Sequence, residues 1–80
     1  MSLDLRYIRA FVVTAENASF SKAAEKLNIA QSAVSRQVKL LEESVGEELI
    51  VRSSKQVLLT QKGKDLLLAT RRYLTTTDEL

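Results

Sequence analysis

Apolar side chains recur along most of this chain every three or four residues, the period of a helix with one buried face. Leu5, Ile8, Phe11, Val12 and Ala15 form the first such stripe and predict a helix from about Asp4 to Asn17. Asn17-Ala18-Ser19 interrupts it, and Ser19 is a good N-cap because its hydroxyl can accept from a backbone N–H two or three residues on. Phe20, Ala23, Ala24 and Leu27 mark a short second helix whose alanines let a neighbouring helix approach closely. Asn28-Ile29-Ala30 leaves room for a turn and no more. Asn28 suits a left-handed backbone there.

A third helix is expected from Gln31 to about Val45. On a wheel of about 100° per residue, Val34, Val38, Leu41 and Val45 fall within roughly 60° of one another. Gly46 follows, where a helix end favours a residue without a Cβ. The period then changes. Leu49-Ile50-Val51 and Val57-Leu58-Leu59 are short strand-like runs flanking the polar segment Arg52-Ser53-Ser54-Lys55-Gln56, which predicts a small β-hairpin. Thr60 can cap a fourth helix striped by Gly63, Leu66, Leu67, Thr70, Leu74 and Thr77. Two helices joined by about three or four residues, the second polar on its outer face, form a helix-turn-helix signature. Many small helical domains contain such a pattern by accident, so the side chains must decide.

Composition narrows the choice. Eighty residues, 45% of them apolar, make one small domain with a single core. No run approaches the roughly 18 apolar residues of a membrane span. Asp4 and Arg6 stand where a signal peptide would be apolar, so export is not expected and a cytoplasmic location is. Cysteine and histidine are absent, which removes disulfides, zinc-finger ligation, thiol nucleophiles and imidazole acid–base chemistry. No cofactor and no metal is expected. No grouping of the remaining polar residues suggests a catalytic pocket, so the chain does not read as an enzyme. The net charge of +2 conceals segregation. Glu42, Glu43, Glu47 and Glu48 crowd together, whereas Leu49 to Lys64 holds Arg52, Lys55, Lys62 and Lys64 without an acid.

The third helix turns Ser32, Arg36, Lys39 and Glu43 away from its apolar stripe, with Ser35 on the flank and Gln31 at the tip. Arg36 can pair bidentately with guanine and Gln31 with adenine, and Ser32 and Ser35 suit either kind of base edge. The open N–H groups of a helix start suit phosphate. Lys39, a turn further on, is better placed for the DNA backbone. Glu42 and Glu43 lie toward the far end, where the helix is expected to leave the groove. The hairpin reads as a wing whose Arg52 and Lys55 reach phosphates or an adjacent minor groove; the bland alternative is a satellite sheet covering one end of the core. Ser21 and Lys22, at the start of the second helix, are candidates for phosphate contacts. A helical dimerisation or protein-interaction module without DNA binding would explain the stripe on the fourth helix. It leaves the basic wing and the polar face of the third helix without a role.

Leu5-Arg6-Tyr7-Ile8-Arg9-Ala10-Phe11 followed by Ala18-Ser19-Phe20-Ser21-Lys22-Ala23-Ala24-Glu25-Lys26-Leu27 resembles the start of the LysR-type transcriptional regulators. So do the run from Ala30 to Glu42, the run from Val45 to Arg52, and Leu59-Thr60-Gln61-Lys62-Gly63, in order and with matching gaps. The resemblance implies a mainly α fold: a winged helix-turn-helix over 1–59, with a three-helix core and a small hairpin wing, then a long linker helix over 60–80. It implies sequence-specific binding of double-stranded DNA at pseudo-palindromic promoter sites, with the third helix in the major groove. Base reading falls to Gln31, Ser32, Ser35 and Arg36, and wing contacts to Arg52 and Lys55. It further implies a homodimer through Gly63, Leu66, Leu67, Thr70, Leu74 and Thr77 of the linker helix, and a tetramer in a full-length protein. A small-molecule effector would bind a separate domain that this chain lacks, so an isolated domain or fragment is expected. Three positions depart from the family pattern. Ser32 stands where proline is frequent, Ala30 where serine would cap better, and Ile50 where phenylalanine is frequent. The first of these bears on operator preference.

Overall fold

Most of the helix ends rest on a residue whose local chemistry accounts for them. The computed structural model describes residues 4–52 and 54–77, with side chains to residue 72. Helix α1 (Leu5–Asn17) is capped by Asp4, whose carboxylate accepts from the Arg6 N–H at 2.8 Å. The Arg6 side chain also donates to it, which holds the Asp4 carboxyl below its usual range. This exposed cap therefore persists above that lowered value and is lost as pH falls through it.

Helix α1 ends on Ala18 at φ 51, a left-handed conformation uncommon for a residue with a Cβ. Helix α2 (Phe20–Leu27) begins as expected on Ser19, whose hydroxyl accepts from the Lys22 N–H at 3.0 Å, and ends on left-handed Asn28 at φ 58. Helix α3 (Gln31–Val45) follows a three-residue turn. Ala30 supplies no side-chain cap, and Gly46 closes the helix at φ 85. Helix α4 (Gln61–Thr77) begins on Thr60, whose hydroxyl accepts from the Gly63 N–H at 3.0 Å and donates to the Glu48 carbonyl at 2.7 Å.

The core sits where α1 packs on α2, α3 and α4, while α2 packs on α3. Phe11, Val34, Val38, Leu41 and Leu49 are fully buried, and Ala10, Val12, Ala23, Ala24 and Ile50 complete the cluster. Burying each of the larger side chains contributes about 1.5–3 kcal/mol. That cluster, and not helix propensity, fixes the orientation of α3. Within it the Thr14 hydroxyl is fully buried and, among the described residues, has no hydrogen-bond partner. A buried donor without a partner costs about 1–3 kcal/mol, so Thr14→Val should raise the urea unfolding free energy by about 1 kcal/mol. An unchanged or lowered value would mean that the hydroxyl makes a bond in solution.

Two expectations need correction. The two three-residue strands reduce to a single antiparallel bridge, Ile50 with Leu59. It is flanked by the Val51 N–H donating to the Leu58 carbonyl at 2.8 Å and the Thr60 N–H to the Leu49 carbonyl at 3.0 Å. Two strands with no third neighbour are marginal, and α4 starts directly after the second. Ser53, in the arm between, lies outside the described residues. The arm remains a wing, and the fold is a mainly helical winged helix-turn-helix.

The second correction concerns the stripe on α4. Gly63 is buried, and a Cβ built on it would lie 2.2 Å from the Leu49 carbonyl oxygen. Leu66 and Leu67 are half-buried against the same core, and the Thr70 hydroxyl donates back to the Leu66 and Leu67 carbonyls. A helical apolar period marks a face to be buried without saying against what. Here its first two turns serve their own chain. Leu68, on another side of α4, is 61% exposed, and the side chains of Leu74 and Thr77 lie outside those described.

Candidate nucleic-acid interface

The tight turn at Asn28-Ile29-Ala30 joins the end of α2 to the start of α3, and residues of the wing share a groove with the starts of both helices. The result is an open groove of about 760 Å³ lined by residues of all three, among them Ser19, Ser21, Gln31, Lys55 and Gln56. Three candidate residues from widely separated stretches of sequence, Ser21, Gln31 and Lys55, thus meet in one concavity. Phe20, Val57 and the half-exposed Leu58 give it an apolar floor. Lys22 is exposed at the adjoining first turn of α2.

On α3 itself Gln31, Ser32, Ser35, Arg36 and Lys39 are all exposed, opposite the buried Val34, Val38 and Leu41. Among the described residues none of Lys22, Arg36, Lys39 and Lys55 takes part in an ion pair. A helix tip bearing amide, hydroxyl and guanidinium groups, ringed by unneutralised cations, is equipped to meet a polyanion that also carries hydrogen-bonding edges.

Ser35 and Lys39 line a second groove, further along α3 toward its C-terminal end. Its other walls are Glu42, Glu43, Gly46, Glu47, Glu48 and Arg52. The acids segregated in the sequence therefore gather at the far end of α3. Glu42 differs from the rest. It is 8% exposed, and its carboxylate accepts from the Leu49 N–H at 2.8 Å, the Ile50 N–H at 3.1 Å and the Arg52 guanidinium. By sequence Glu42 belongs among solvent-facing acids and Arg52 on a free wing, whereas the structure brings the two together. At about 80° from Val34 on the helical wheel, Glu42 sits at the edge of the buried arc, a position that periodicity alone leaves ambiguous.

This geometry agrees with what the chain is similar to. Residues 5–64 match the family model described as "Bacterial regulatory helix-turn-helix protein, lysR family". The chain belongs to the LysR family. YnfL of Escherichia coli K12, described as an uncharacterized HTH-type transcriptional regulator, is 40% identical over 79 residues, covering 99% of this chain and 27% of that protein. The HTH-type transcriptional regulator BenM of Acinetobacter baylyi is 48% identical over 61 residues, 76% of this chain and 20% of BenM. The chain thus spans about a quarter of the length of its LysR-family relatives, which are transcriptional regulators.

Solved structures repeat the fold. The crystal structure of the BenM DNA-binding domain with catB site 1 DNA superposes with a TM-score of 0.89 at 41% identity, over 95% of this chain and 85% of that one. DarR of Vibrio fischeri in complex with DNA gives 0.89 at 37% identity, over 99% of this chain and 27% of that one.

Proposed function

We propose that this LysR-family domain binds double-stranded DNA sequence-specifically, as one half of a two-fold reader. The observation that carries this reading is the exposed tip of α3, where Gln31, Ser32, Ser35 and Arg36 stand clear of the core beside cations that form no ion pair among the described residues. In this reading the tip enters the major groove. Arg36 pairs with a guanine, Gln31 with an adenine, and the two serines adjust to the neighbouring edges. Ser21 and Lys22 at the start of α2, Lys39 on α3 and Lys55 on the wing meet phosphates and fix the register. Residues 1–59 form the reading unit and 60–80 the linker helix. Helix α4 pairs with that of a second copy, to which the exposed Leu68 would contribute apolar surface. Two-fold pairing implies half-sites centred one helical turn of DNA, or a multiple of it, apart. Transcriptional control by a ligand belongs, in this reading, to a separate domain outside this chain.

Selection of bound sequences from a random duplex pool is the direct test. A palindromic consensus is expected, with affinity falling steeply as salt rises. Recovery of no consensus, or affinity independent of salt, would defeat the proposal. Within the consensus, Arg36→Ala should cost about 1–3 kcal/mol and relax preference at one position of each half-site. Equal weakening on every sequence would instead make Arg36 a phosphate contact.

A further inference from the structure

We infer that Glu42 is the positioning residue that sets the wing against the recognition helix, and that Arg52 serves this clamp and does not bind phosphate. The inference rests on the DNA-binding reading for its consequence, though not for its geometry. Glu42 projects from the last turn of α3 and is almost wholly buried. One carboxylate oxygen takes the N–H groups of Leu49 and Ile50, the first residues of the wing's incoming arm, at 2.8 and 3.1 Å. The other receives the Arg52 guanidinium, from just beyond the bridge between Ile50 and Leu59. Among the described residues that bridge is the wing's whole ladder, so the arm cannot hold its own position. The returning arm is held separately, by the Thr60 N–H on the Leu49 carbonyl and the Thr60 hydroxyl on the Glu48 carbonyl. Leu49 is thereby gripped at its N–H from α3 and at its carbonyl from the start of α4. The distance between Arg36 and Lys55 across the reading surface follows from that grip.

The assignment of Arg52 is a matter of charge. Beside Glu42 its guanidinium belongs to a neutral pair, and a neutral pair displaces no counterion from a duplex. Only Nη2 of Arg52 meets Glu42, so a phosphate contact would fall to the remaining N–H groups of a guanidinium whose charge the buried carboxylate already offsets.

Two measurements decide the two halves. For Arg52, the slope of log affinity against log salt is compared between wild type and R52Q on a selected duplex. The clamp predicts slopes equal within about 0.3, with R52K close to wild type in affinity; a slope shallower by about 0.9 is the mark of a lost phosphate contact and overturns the assignment. For Glu42, amide hydrogen exchange is read on the free domain. In E42A, which removes the acceptor, the Leu49 and Ile50 amides should exchange at least tenfold faster while those of α1 keep their protection, and wild-type rates at both would sink the clamp. If E42A does not fold, E42D, whose carboxylate is withdrawn by one methylene, is read at the same two amides with the same criterion. Exchange needs no DNA. A domain that failed to bind any duplex would remove the proposed function and leave the clamp standing or falling on its own result.

Discussion

Gly63→Ala should lower the thermal midpoint by more than about 10 °C, although alanine is the better helix former by about 1 kcal/mol at an exposed interior position. The reversal comes from one contact. A Cβ on residue 63 would sit 2.2 Å from the Leu49 carbonyl oxygen, with the carbonyl carbon at 3.1 Å and the Leu49 Cα at 3.3 Å. All three are backbone atoms and cannot rotate aside. The same carbonyl accepts from the Thr60 N–H and the residue's N–H is held by Glu42, so the peptide has little room to retreat. Either α4 lifts off the core or the wing root shifts. Overpacking of this kind costs about 3 kcal/mol or more, against a total of roughly 4–12 kcal/mol for a domain of this size. Each kcal/mol lowers the midpoint by about 4–8 °C in a domain this small. A melting curve followed by circular dichroism checks it, and a midpoint within a few degrees of wild type would show that α4 does not pack as described. Gly46 is the useful contrast. It sits at φ 85 with nothing within 4 Å of its added Cβ, so a substitution there meets backbone strain but no collision.

The two glycines also mark the limit of what the chain discloses by itself. The caps made by Ser19, Asn28, Gly46 and Thr60 each act on a residue three or four positions away, and their signals mark ends of α2, α3 and α4. The outward face of α3 is legible for the same reason, since a regular helix with one apolar stripe leaves its opposite face exposed. The features that escape depend on contacts made across longer separations. Glu42 reaches seven and eight residues ahead to two wing amides, a contact that its place at the edge of the apolar arc does not announce. Gly63 meets a carbonyl fourteen positions back, so its stripe reads equally well as a surface for a second copy. Ala18 adopts a left-handed cap without the side chain that would announce it. The meeting of Ser21, Gln31 and Lys55 in one groove lies between these extremes. Each declares its chemistry at a helix start or loop, and the fold brings the three together.

A division of labour follows between the core that aims α3 and the face that reads. Phe11→Ala should cost about 3–5 kcal/mol, because a fully buried ring leaves a cavity that close-packed neighbours fill only in part. Phe11 shares its cluster with Val34, Val38 and Leu41 on the inner face of α3 and with Ala23 and Ala24 of α2. Its loss therefore loosens the joint between all three helices at once. Apparent affinity for DNA should fall by the fraction of molecules left unfolded, while the order of preference among duplex sequences stays that of wild type. Trimethylamine oxide, which favours the buried state, should recover most of the lost binding. Arg36→Ala should behave in the opposite way, with an unchanged urea midpoint and an altered preference. Chemical denaturation and binding to a panel of single-base variants, run on both proteins, separate the two cases. If Phe11→Ala rearranged base preference without loss of stability, α3 would not be aimed by this core. The reading surface would then have to be set by something outside the helical cluster.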